Sequence, residues 1–363
     1  GADLDAAEIE RLFLYSLAWS LGGLLRAEDR FKFDEYLRSL ATEEGAMPLK
    51  QLETDTIFEY DVDIEEGLIW EKWLPSAWEY PEGDRLEFSN LLVPTMDSIR
   101  SMEILDHMHK NNHPVLMVGA VGTAKTATAL MFFQELDVDV HLVKQINFSF
   151  ATTGGLVQTM VSAEVEKRGG KNFGPPRGKK LVLFFDDMSM PEINMWGDQP
   201  TLEFVRQIVE DGGFCFLEKD KRGDFCVLED ISYVSCMQTP QGGRNDIPAR
   251  LKRHYFCFNT VLPSVQSIND IFGQMLEGRF PDGEVSKAGM AVINKLTTAT
   301  IELWTQMRTR VLPTPSKFHY IFNLRDLSRV FQGILLTPKD VINTGGEQVP
   351  ASPEVTILRL WFH

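Results

Sequence analysis

The residues best suited to chemistry form one short run, Gly119-Ala120-Val121-Gly122-Thr123-Ala124-Lys125-Thr126. It departs at one position from the phosphate-loop pattern GxxxxGK[ST], with Ala124 standing where the second Gly normally is. Small residues let consecutive backbone N–H groups face phosphate oxygens, and the start of a following helix adds positive charge. Lys125 then reaches the β and γ phosphates, and the Thr126 hydroxyl ligates Mg²⁺. A methyl at position 124 fits if that residue takes right-handed helical φ, as the first turn of a helix permits. The bland alternative is a glycine turn with a solvated lysine.

Further along, the apolar run Leu181-Val182-Leu183-Phe184-Phe185 ends in Asp186-Asp187. Asp186 at a strand tip would hold Mg²⁺ through water beside Thr126, and Asp187 takes the place of the acid that polarises attacking water. Together, loop and carboxylates point to a nucleoside triphosphate, and the lack of an NKxD guanine-reading signature favours ATP. A third apolar run, Ile231–Met237, delivers Gln238, which is either a polar group at the γ-phosphate or an amide in a loop near Pro240. The basic run Arg244–Tyr255 is either a solvated face or carries an arginine, Arg250 or Arg253, that crosses a subunit boundary to a neighbour's γ-phosphate.

These groups need strands that end together and helices that follow them. Short apolar runs at Pro114–Val118, Val138–Val143, Leu181–Phe185, Ile231–Met237 and His254–Thr260, separated by helical stretches, predict a parallel sheet covered on both faces. A helix is expected over Ala127–Gln134, directly after the loop, and another after Pro94-Thr95. Residues 6–40 show helical periodicity broken at Gly22-Gly23. Residues 41–55 read as a linker, and Phe58–Asp63 and Leu68–Trp70 as a hairpin turning at Glu65-Glu66-Gly67. Residues 265–363 return to helical periodicity. Of the histidines, His107 and His109 lie two apart on a helix and do not face each other, so they make poor metal ligands.

The chain has 363 residues, and its 36 Lys plus Arg against 52 Asp plus Glu give a net charge of −16. That field repels phosphate polymers and anionic membranes, which argues against nucleic acid or an anionic membrane surface as the main partner and makes any phosphate site local. Four cysteines in this length, none in CxxC, suggest a reduced compartment. The longest uncharged apolar stretch, Leu12–Leu25, is shorter than the ~18 residues of a membrane span. With no initiator Met and an end inside an apolar helical run, the sequence reads as part of something longer.

The order of phosphate loop, Asp-Asp strand, polar strand end, arginine-rich loop and helical tail resembles the AAA+ ATPases. Phe148–Thr153, Lys171–Lys180, Asp186–Pro191 and Phe318–Leu327 look like dynein heavy chain motor modules. Trp196–Pro200 and Gly242–Pro248 look most like the third AAA module of an axonemal, outer-arm type heavy chain. The resemblance implies four segments. Residues 1–45 would be the closing helices of the preceding module's small domain, and 46–89 a linker and hairpin. Residues 90–264 would be an AAA+ large α/β domain, and 265–363 a small helical domain.

On individual positions, the resemblance implies that Val93 and Pro94 lie in the loop that packs on adenine. Arg325 would reach the module's own bound phosphates, and Arg253, with Arg250 second, would be the finger serving the preceding module. Residues 150–172 and 188–228 look like the family's insertions, the second with a hairpin in which Cys215 and Cys226 could face each other without a bond. The expected cofactors are ATP or ADP with Mg²⁺. Neighbouring AAA modules are the expected partners, and intermediate chains, light chains and microtubules are expected through other regions. The expected location is the cytoplasmic cytoskeleton of the ciliary or flagellar axoneme. Asp187 in place of the usual Glu, with Ala124 and Gln238 for Gly and Asn, implies tight nucleotide binding with slow hydrolysis. The alternative is a catalytically inert module that keeps the ring intact.

Overall fold

In the computed structural model, which describes residues 4–63, 67–75, 77–81, 88, 91–240, 244–281, 287–338, 341–342 and 352–362, the chain opens with two helices, α1 (Ala6–Leu21) and α2 (Ala27–Leu40). The expected turn residues Glu65 and Glu66 and the pair Gly242-Gly243 lie outside the described residues. Asp5 caps α1 in a reciprocal box with Glu8, so local side chains satisfy the first helical N–H groups. The chain passes from α1 to α2 through a single tight turn at Gly22–Leu24. A Cβ on Gly22 would stand 2.6 Å from the Phe33 ring and 2.8 Å from that of Phe58, so only glycine allows this approach. A hairpin follows, β1 (Tyr60–Asp63) against β2 (Ile69–Lys72), with Val62 opposite Trp70. The Lys72 ammonium pairs with Asp55 at 2.7 Å and ties the hairpin to the segment before it.

Helix α3 (Met96–Lys110) leads into β3 (Val115–Gly119), α4 (Lys125–Glu135), β4 (His141–Asn147) and α5 (Gly154–Ser162). Then come β5 (Glu166–Gly169), β6 (Asn172–Gly174), β7 (Lys180–Asp186), α6 (Pro200–Asp211), β8 (Gly213–Cys215) and β9 (Phe225–Leu228). The last elements of this part are β10 (Ile231–Gln238), α7 (Ala249–Lys252) and β11 (Phe256–Asn259). Five of the strands form one parallel sheet in the order β11-β3-β10-β7-β4. A smaller sheet is ordered β5-β6-β9-β8.

The main sheet is covered on both faces, as its uninterrupted apolar runs require. Along β7, Leu181, Leu183 and Phe185 pack into one cluster with α5 and α6, through Val157, Val161, Leu202, Val205 and Ile208. Val182 and Phe184 face the opposite way, into a cluster with Met102 and Leu105 of α3, Phe132 of α4, and Leu14, Trp19, Leu37, Ile57 and Phe58. The amino-terminal helices thus share the core of the sheet.

Two expectations are corrected. The strand anticipated at Val138–Val143 begins at His141 and runs to Asn147, because β4 is the edge of the sheet and polar residues such as the half-exposed Lys144 and the exposed Gln145 can occupy it. Cys215 and Cys226 do not face each other. The register sets Cys226 opposite Phe214 and Cys215 opposite Phe225, which sends the two side chains to opposite faces, and both thiols are free.

The chain divides into two compact units, the first comprising Gly1–Trp73, Ser98–Ala120 and Ala124–Val261, the second Leu74–Asp97, Val121–Thr123 and Leu262–His363. The second unit contains α8 (Val265–Arg279), α9 (Lys287–Arg310), α10 (Leu324–Leu336) and α11 (Pro353–Phe362). Its core joins Phe272, Phe331, Trp304 and Leu327, with the Phe272 and Phe331 rings stacked at 4.3 Å between centroids. Among the described residues no helix is long and apolar enough to cross a membrane.

Candidate functional site

Parallel pairing gathers the carboxyl ends of the central strands at one edge of the sheet, the usual location of ligands in open α/β folds. The register places Gln238, the last residue of β10, opposite Gly119, the last of β3. On the other side of β10, β7 ends in Asp186, itself opposite Asn147 of β4. Gly119, Gln238 and Asp186 thus end three adjacent strands.

The loop leaving β3 turns into α4 at Ala124. That residue is the helix N-cap, with φ 57° and ψ 18°, in the left-handed region. The right-handed φ expected for it is therefore corrected: position 124 stands just outside the first helical turn, and the loop must reverse there. A Cβ in this conformation costs about 1–2 kcal/mol, a cost that the glycine of the usual pattern avoids. Lys125 opens α4 and is buried. Its ammonium group donates to the carbonyl oxygens of Gly119 at 3.0 Å and Ala120 at 2.7 Å, folding the loop around the amine.

The next residue joins helix to strand. The Thr126 hydroxyl donates to Asp186 Oδ2 at 2.9 Å. Burial raises the Asp186 carboxyl above its ordinary range, and the Asp187 charge adds to that effect, whereas the Thr126 hydrogen bond opposes it. The Asp187 amide donates to Asp186 Oδ1 at 3.0 Å, and Asp187 itself is left-handed at φ 57°. The chain is pinned just beyond by the Met188 amide, which donates to the Cys236 carbonyl of β10 at 3.0 Å. The Asp pair is therefore part of a sharp turn, and the second carboxylate leaves the strand line.

The other residues expected around this module's own nucleotide belong to the second unit. Val93 is buried in the helical core, with Pro94 beside it partly exposed. Gly122 (φ 78°) and Thr123 lie in the loop segment that clusters with this unit. A Cβ on Gly122 would stand 3.2 Å from the Leu324 amide nitrogen, so the loop meets the start of α10 closely. Arg325, in the first turn of α10, is exposed, and its amide donates to Asn323 Oδ1 at 2.8 Å. The first unit accordingly carries Gly119, Ala124, Lys125, Thr126, Asp186, Asp187 and Gln238. The second carries Val93, Pro94, Gly122, Thr123 and Arg325.

Arg250 on α7 and Arg253 at its carboxyl end turn their side chains toward α6. Arg250 pairs with Glu203 at 2.8 Å and Arg253 with Glu210 at 2.6 Å. Sequence reading overlooked these glutamates, although Glu203, Arg206 and Glu210 recur at helical spacing on one stripe of α6. It also overlooked His141: spacing rightly separates His107 from His109, yet the fold brings His109 Nε2 to 3.3 Å from His141 Nε2.

The residues at the loop fit a Mg-nucleotide. A buried amine is held by loop carbonyls that phosphate oxygens can replace, and a hydroxyl and a half-buried carboxyl are in contact. Among the described residues no cluster of three or more His, Cys, Asp or Glu is placed to hold a metal, so a cation here would take its other ligands from phosphate and water.

Comparison with known proteins shows the family. The family described as the P-loop containing dynein motor region matches residues 79–263. A dynein heavy chain AAA lid domain matches residues 2–75, and an AAA+ lid domain matches residues 296–363. The dynein gamma chain of the flagellar outer arm from Chlamydomonas reinhardtii is 44% identical over 372 residues, covering 100% of this chain and 8% of its own length. Dynein axonemal heavy chain 5 from Rattus norvegicus is 41% identical over 366 residues, covering 99% of this chain and 10% of its own. Dynein axonemal heavy chain 8 from Homo sapiens is 41% identical over 330 residues, covering 90% and 7% respectively. The chain thus spans a tenth or less of the length of these relatives.

Proposed function

Because the chain belongs to the dynein heavy chain family of P-loop AAA+ motor regions, we propose that it is a regulatory nucleotide-binding module of an axonemal heavy chain that holds Mg-ATP tightly and hydrolyses it slowly. The contact that carries this reading is the Thr126–Asp186 hydrogen bond, which sets the loop hydroxyl beside the strand-end carboxylate. Lys125 exchanges its carbonyl partners for the β- and γ-phosphate oxygens, Val93 and Pro94 flank the adenine, and Arg325 reaches the phosphates. Mg²⁺, held by the Thr126 hydroxyl and through water by Asp186, would neutralise charge on the β and γ phosphates. Asp187 orients the attacking water and takes its proton, with Gln238 beside it. The carboxylate of Asp187 is one methylene short of the usual glutamate, and a misplacement of about 1 Å costs ~100-fold in rate.

The segment boundaries belong to the same proposal. Residues 1–45 close the preceding module's small domain, 46–89 link, 90–264 form the large domain and 265–363 the small one, making this the third module of the ring. Arg253, with Arg250 as second choice, serves the preceding module's nucleotide. The names of the relatives speak of the flagellar outer arm and the axoneme. We carry that location to this chain, together with intermediate chains, light chains and microtubules as partners of other regions.

An inert ring-stabilising module is the second reading, favoured by the strained Ala124 and the short Asp187. Equilibrium binding of a fluorescent ATP analogue with Mg²⁺, against a Lys125→Ala control, separates the two. Binding at micromolar concentration or tighter, lost in the control, is expected; equal weak binding by both proteins would favour the inert module.

A further inference from the structure

To serve as a finger, the long side chain of Arg253 must be aimed. Its side chain is 61% exposed, and a free arginine spreads over many rotamers. On α6, the stripe of Glu203, Arg206 and Glu210 faces α7. Arg206 Nε lies 2.6 Å from Glu203 Oε1, and its Nη1 contacts Glu210 Oε2, so one guanidinium spans both carboxylates. Each glutamate then offers its remaining oxygen outward: Glu203 Oε2 to Arg250 at 2.8 Å and Glu210 Oε1 to Arg253 at 2.6 Å. His254 completes the group, accepting from Arg253 Nε at 3.1 Å through its own Nε2.

The division of labour is physical. A carboxylate held by a single arginine can swing with it, whereas one fixed from behind by Arg206 provides a stationary anchor. Burial of Glu210 disfavours its charge, but the hydrogen bond and charge of Arg206, with the charge of Arg253, outweigh that and hold its carboxyl below the usual range. Arg253 uses Nε and Nη2 on these partners, which leaves Nη1 for another acceptor. Arg206 also remains with Glu210 if Arg253 moves, so no carboxylate is left unpaired.

We propose that Glu210, anchored by Arg206, is a positioning residue that aims Arg253 at the triphosphate of the preceding module. This rests on the finger reading of Arg253. The arrangement presets the guanidinium and cuts the entropy lost when it engages phosphate.

The test uses the full-length heavy chain and follows release of a fluorescent ATP analogue from the preceding module. Its kinetic phase is assigned by mutating that module's own phosphate-loop lysine. Arg253→Ala and Glu210→Gln are each expected to speed release about tenfold, the scale of one hydrogen bond to a charged group. The double variant is expected to go no further, because both changes remove the same aimed contact. Affinity at the Lys125 site is expected to stay unchanged in Glu210→Gln, which separates aiming from general damage. Fast release in Arg253→Ala with normal release in Glu210→Gln would overturn the positioning role and leave the finger in place. Normal release in Arg253→Ala would overturn the finger reading itself.

Discussion

Thr126 and Asp186 are joined by a hydrogen bond of 2.9 Å that couples the first turn of α4 to the tip of β7. The bond holds the two groups proposed to serve one cation within reach of each other. Asp186→Asn preserves an acceptor for the hydroxyl and removes the charge. Nucleotide affinity in this variant is expected to lose its dependence on Mg²⁺, a drop of about tenfold at millimolar Mg²⁺. Titration of a fluorescent ATP analogue with and without the metal measures it; an unchanged Mg²⁺ response would remove Asp186 from the cation site.

Asp187 carries two constraints at once. Its left-handed backbone suits Asp better than a longer side chain, while a water-activating role favours Glu. Asp187→Glu is expected to raise single-turnover hydrolysis at this site at least tenfold, within the ~100-fold range of a 1 Å displacement. The same variant is expected to lose thermal stability. If hydrolysis stays at the wild-type rate in the intact motor, carboxylate length does not limit this module.

Ala124 should respond in the opposite sense. With φ at 57°, its Cβ is strained, and Ala124→Gly removes the clash at the cost of a more flexible unfolded chain. The net expectation is a gain of about 1 kcal/mol in unfolding free energy. Chemical denaturation of both proteins reads this directly, and a loss of stability would contradict the left-handed cap.

His109 makes stability depend on pH. Burial lowers its pKa below 6.5, the nearby His141 and Lys180 charges lower it further, and Asp106 opposes them. The unfolded chain therefore binds a proton more readily than the folded one at this position. The contribution is whole above pH 6.5 and falls away as pH drops through that value toward the folded-state pKa. Melting temperature is expected to decline across this window in the wild type and to decline less in His109→Gln. Parallel pH profiles for the two proteins would show that the pair carries no such linkage.

The parts of the fold legible in the sequence were those set by local pattern. Leu181–Phe185 can only be a doubly buried strand, and the small residues before Lys125 mark a turn between strand and helix. What escaped depended on neighbours far away in the chain. Edge position lets Lys144 and Gln145 sit in β4, so apolar content misplaced its start. The backbone angle of Ala124 follows from the path of the whole loop, which no residue type announces. The glutamates of α6 and the pairing of His109 with His141 arise from contacts between elements, to which spacing along one helix is blind.

Leu14, Trp19, Ile57 and Phe58 bury themselves against the same sheet face as Phe184 and Phe258. A boundary drawn from motifs alone would start this module near residue 90 and discard them. Such a truncated protein would present a bare apolar sheet face to solvent and aggregate, whatever the state of its phosphate loop. The smallest piece that can be expressed on its own therefore begins with α1 and α2, well before the phosphate loop.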